Sequence, residues 1–72
     1  MKFEEIKNLL TSTERQVIDL RNEASSEDAN ATTRFELKAL IERRVNAFVE
    51  LINNFSTAQY LEVCDAMREA RA

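Results

Sequence analysis

Seventy-two residues with a formal net charge of −3 make one domain, near the length at which a single core is only marginally sufficient. One cysteine and no histidine leave no internal disulfide and no usual zinc constellation to reinforce it, so self-association is the natural way to complete the core. The absence of glycine and proline argues against a β-rich fold and excludes glycine-rich phosphate loops and dinucleotide fingerprints.

The abundant residues are good helix formers, and the fold class expected is all-α. The seam Phe3, Ile6, Leu10, Thr13, Val17, Leu20 and Ala24 steps alternately three and four, predicting a first helix over residues 2–24. Leu9 widens this seam and Ile18 projects away from it. Thr11-Ser12-Thr13-Glu14 also reads as a capping box that starts a new helix at Thr11, but the seam keeps its phase through it, which favours one continuous helix. Residues 25–32 are polar or small and form the loop.

Thr33 with Glu36 three residues on makes a capping box that opens the central helix, expected over residues 33–54. Leu37, Ile41, Val45, Phe48, Ile52 and Phe55 form its main stripe. Leu40, Ala47 and Leu51 flank the stripe on one side and Val49 on the other, so the apolar arc covers about half the circumference. Such a helix needs cover from more than one side. It ends near Asn53-Asn54, residues that tolerate a left-handed terminus. Ser56 with Gln59 is a further capping box, starting a third helix over residues 57–71 with Tyr60, Leu61, Val63, Cys64 and Met67 on a broad face. The expected architecture is a hairpin of two long antiparallel helices plus a shorter C-terminal one, completed as a bundle by homo-oligomerisation.

Little here promises chemistry. Cys64 has no neighbouring base and sits on an apolar face, where cysteine behaves as a small hydrophobe. The paired acids, such as Glu4 with Glu5 and Glu27 with Asp28, sit in polar contexts that read as a solvated surface. Arg15–Asp19, Lys38–Glu42 and Asp65–Arg68 are spaced for weak on-helix pairs. No catalytic residue, metal ligand or cofactor is expected. No apolar run approaches the roughly 20 residues that cross a bilayer. MKFEEIKNLL lacks a secretory apolar region, so the expectation is a cytoplasmic protein with a reduced thiol and no membrane partner.

The bases Arg34, Lys38, Arg43 and Arg44 scatter around the central helix of an acidic chain, which disfavours nucleic acid as a partner. Leu10-Thr11-Ser12-Thr13-Glu14-Arg15-Gln16-Val17-Ile18-Asp19-Leu20 resembles the first helix of the LuxR-type helix-turn-helix output domain, L-T-x-x-E-x-x-V-L-x-L. That resemblance implies a DNA-binding regulator. It spans eleven residues; the family's following glycine and S-N-x-E-I-A helix are missing, and the central helix is too long for that fold, so no function is carried over.

Arg44, flanked on the wheel by Leu37, Leu40, Phe48 and Leu51, is the most informative residue. Either its stem lies on apolar surface with its head in water, or it sits at a subunit seam, paired with an acid such as Asp19 or Asp65 or holding an anion. The oligomer or partner interface expected is Ile18, Leu40, Arg44, Ala47, Phe48, Val49 and Leu51. The candidate anion-binding residues are Arg44, Arg43 and Lys38. The functional expectation is a non-enzymatic homodimeric or larger module that regulates or inhibits a partner protein by occlusion, by analogy of size and class with phage- and plasmid-encoded modulators. The alternatives are an oligomer binding an anionic ligand such as a nucleotide at its seams, and a DNA-binding regulator.

Overall fold

The structure is a computed structural model that describes residues 1–26 and 30–72; residues 27–29 of the expected loop lie outside the described residues. The described residues form helices and no strands: α1 (Phe3–Ser12), α2 (Glu14–Ala24), α3 (Ala31–Asn54) and α4 (Thr57–Arg71).

The first helical stretch is interrupted at Thr13, a correction to the continuous helix expected and also to a break at Thr11. Three consecutive hydroxyls explain it. Thr11 Oγ1 donates to the Lys7 carbonyl (2.9 Å), while Ser12 Oγ (3.4 Å) and Thr13 Oγ1 (2.6 Å) both donate to that of Leu9. Side-chain donors crowding one turn of carbonyls compete with the ladder and bend it. Thr13 adopts φ −94°, ψ −4°, and the ladder resumes with Val17 N–H on the Thr13 carbonyl at 2.9 Å. The seam survives the interruption, since Ile6, Leu10, Thr13 and Val17 are all buried.

The cap of α3 is Asn30, three residues before the expected Thr33: Asn30 Oδ1 accepts from the Thr33 N–H at 2.8 Å. Asparagine caps better than threonine, and the capping oxygen belongs three residues before the donor it satisfies. No described residue has a positive φ, so the left-handed ending expected at Asn53-Asn54 is not used. Phe55 (φ −130°, ψ 164°) and Ser56 (φ −75°, ψ 163°) are both extended and turn the chain without glycine. Ser56 and Gln59 form the expected capping box of α4.

Contacts between α1–α2 and α3 run in opposite chain order: Phe3 packs its ring on Phe55 (centroids 5.7 Å apart), and Glu14 meets Arg44. Contacts of α4 with α1–α2 run in the same order, Lys7 with Glu62 and then Glu14 with Arg71. Ile6, Leu10, Ala47, Leu51, Val63 and Met67 form the core where α1, α3 and α4 meet. That core is small and the body is flat: the Cα trace spans 42 × 23 × 14 Å with a radius of gyration of 13.4 Å, against about 11 Å for a compact chain of this length. No described helix is long and apolar enough to cross a membrane.

Candidate interaction surface

A buried ion cluster ties three helices together. Glu14 opens α2, where a carboxylate is favoured by the helix dipole, and its side chain is 9% exposed. Arg44 reaches it from mid-α3, with Nη2 donating to Oε2 at 2.6 Å. The other terminal nitrogen of Arg44 donates to Thr13 Oγ1 (2.9 Å) and to the Leu10 carbonyl (3.2 Å). Arg71, in the last turn of α4, places Nε 2.8 Å from Glu14 Oε1. No buried polar side-chain atom among the described residues lacks a partner.

The reading of Arg44 with its head in water is thereby corrected, and the pairing with an acid is made by a residue other than Asp19 or Asp65. Its head is in protein, and its acid is Glu14 of the same chain. Asp19 and Asp65 instead pair on their own helices with Arg15 (3.5 Å) and Arg68 (3.6 Å), as their spacing predicts, whereas Lys38 and Glu42 form no pair among the described residues. The signal for Glu14 was available: four residues after Leu10 and three before Val17, it lies on the seam itself, where an uncompensated charge would be costly.

The faces of α3 are also reassigned. Leu40, Ala47 and Leu51, expected at an interface between subunits, lie inside this chain's own core, with Leu51 0% exposed. The reason is the guanidinium: once Arg44 reaches Glu14, Leu40 (i−4), Ala47 (i+3) and Leu51 (i+7) share its helix face and turn inward with it. Part of the stripe read as the main one, Val45 and Ile52, then faces out together with Val49 of its flank, while Phe48 and Phe55 of that stripe pack against the core. Val45, Val49 and Ile52 are 51–62% exposed, with Ile41 partly so. Leu61, expected on the inner face of α4, is also exposed.

Three of the four remaining expected interface residues converge, and Val49 lies outside their groove. Ile18, Arg44 and Phe48 line one groove of about 390 Å³ between α2, α3 and the end of α4, together with Val17, Ile41 and Val45. Arg21 and Arg71 stand at its edges, and Glu14 is its one acid among the described residues. A second hollow of about 330 Å³ shares Phe48 and Arg71 with it and continues along α4 past Tyr60, Cys64 and Arg68. The expected anion trio is not assembled: Arg43 borders a different groove, beside Gln16, Leu20 and Phe35, and Lys38 is exposed outside both. Cys64 is a half-buried free thiol. Its hydrogen bonding with Tyr60, and secondarily its charge, push the phenol above its ordinary value of 10.0.

In comparison with known proteins, no family model, no curated protein and no solved structure matches this chain.

Proposed function

We propose that this protein is a small non-enzymatic interaction module that works as a homo-oligomer in the cytoplasm and regulates or inhibits a partner protein by covering its surface. In this reading α1–α2 and α3 form a helical hairpin, α4 braces it, and the outward stripe of α3 completes a bundle with a second copy. The observation that carries it is that stripe: Ile41, Val45, Val49 and Ile52 on the longest helix of a thin body with a small core. Apolar faces of this kind mark protein contacts. Isologous pairing would bring the same stripe from two copies together.

An anionic ligand at a seam has less support, because Arg44 already serves Glu14, Thr13 and the Leu10 carbonyl. Native mass spectrometry tests the oligomer directly. Wild type should give a dimer or larger assembly, and Val49→Asp/Ile52→Asp a monomer with unchanged helicity. A wild-type chain that stays monomeric at roughly 100 μM, where weak dimers form, would overturn it.

A further inference from the structure

The groove between α2, α3 and the end of α4 reverses the charge of the molecule around it. Among the described residues its edges carry Arg21, Arg44 and Arg71 against the single carboxylate of Glu14, a local surplus of two positive charges in a chain whose net charge is −3. Arg44 and one edge of Arg71 are held by Glu14, but the terminal nitrogens of Arg71 make no hydrogen bond among the described residues, and its side chain is 55% exposed. Arg21 is exposed and makes no ion pair among the described residues. The floor between these cations is apolar, formed by Val17, Ile18, Ile41, Val45 and Phe48.

From this combination we infer that the groove is a docking site for an acidic amphipathic helix of a partner protein. Resting on the interaction-module reading, the inference names the partner's chemistry. The apolar floor receives side chains spaced three and four apart on the incoming helix, and glutamates or aspartates on its flanks meet Arg21 and Arg71. From Ile41 to Phe48 the groove follows α3 for about 10 Å, and the hollow past Phe48 extends it along α4, so two to three turns are seated. The acidic remainder of the surface repels such a helix elsewhere, which steers it to this one place. A nucleic acid fits less well: it wants a row of cations on a polar face, and here half the lining is aliphatic or aromatic.

The test is selection from a displayed library of amphipathic peptides about 16 residues long, which span the groove with margin, followed by fluorescence anisotropy of the winner. The expected winners carry apolar residues at i, i+3/i+4 and i+7 with flanking acids. Their binding should weaken about tenfold in Arg21→Glu and in Ile18→Asn, survive in Arg21→Lys, and fall as salt rises. Circular dichroism of the variants shows that the fold is kept, since Arg21 and Ile18 lie outside the buried cluster. Winners that lack acids, that bind Arg21→Glu as well as wild type, or that a labelled DNA duplex displaces through the same residues would overturn the inference, as would no winner at all. Ile41 and Val45 belong both to this groove and to the outward stripe of α3, so the partner helix and a second copy compete for them; Val49 and Ile52 lie outside the groove, so the oligomer test above still reads the interaction-module reading separately.

Discussion

Arg44 Nη2 stands 2.6 Å from Glu14 Oε2, with side chains 11% and 9% exposed, and this contact sets which way α3 faces. A charge pair so far from water is costly to form; removing Glu14 leaves Arg44 desolvated with no counter-charge, and removing Arg44 leaves Glu14 with only the half-exposed Arg71. Glu14→Gln or Arg44→Met should therefore cost about 3–5 kcal/mol, read as a fall in the urea midpoint with little change in slope. Exchanging both together for apolar residues should cost much less than the sum of the single changes, because no orphan charge remains. Losses below about 1 kcal/mol, the range of surface pairs, would show that the cluster is solvated.

Adjacent residues report the register of α3. Leu51 is fully buried and Ile52 is 62% exposed. At a dilution where the monomer dominates, Leu51→Ala should cost about 2–5 kcal/mol through the cavity it leaves, and Ile52→Ala within about 0.5 kcal/mol. The reverse order would place the stripe Ile41, Val45, Ile52 inside.

The start of α3 is tested by its cap. Asn30→Ala removes the acceptor for the Thr33 N–H and should cost about 1 kcal/mol. Thr33→Ala, which leaves that acceptor in place, should cost less. Thermal melts followed by circular dichroism compare the two.

Tyr60 is the chain's only tyrosine, and there is no tryptophan, so tyrosinate absorbance near 295 nm reports it alone. Hydrogen bonding with Cys64 raises its ionisation above 10.0. The sign follows: a phenol whose folded value exceeds its unfolded value contributes stability that is fully present below the unfolded value and is lost as pH rises through the folded one. The titration midpoint should lie above 10 in the native protein and move down towards it in Cys64→Ala. An equal midpoint in both would separate the two side chains.

Much of the fold was legible because it rests on local chemistry. The seam from Phe3 to Leu20, the Ser56–Gln59 capping box and the all-α class all follow from spacing, capping preferences and composition. The interruption at Thr13 was half visible, since the hydroxyl run stood in the sequence, but which carbonyl each hydroxyl takes is settled only by three-dimensional packing. The face of α3 was misjudged for a related reason. Periodicity ranks residues by hydrophobicity and scores an arginine against burial, whereas here the arginine goes in because Glu14 and Thr13 receive it. Leu40, Ala47 and Leu51 follow it, and larger residues such as Val45 and Ile52 are left outside.

The most direct test of the central claim is an isotope-filtered NOE experiment on a sample mixed from labelled and unlabelled chains. If α3 completes its cover with a second copy, intermolecular NOEs should appear at the methyl groups of Val45, Val49 and Ile52 and be absent at Leu40 and Leu51. Intermolecular NOEs confined to Leu40 and Leu51, or none at any of these methyls at millimolar concentration, would contradict the account.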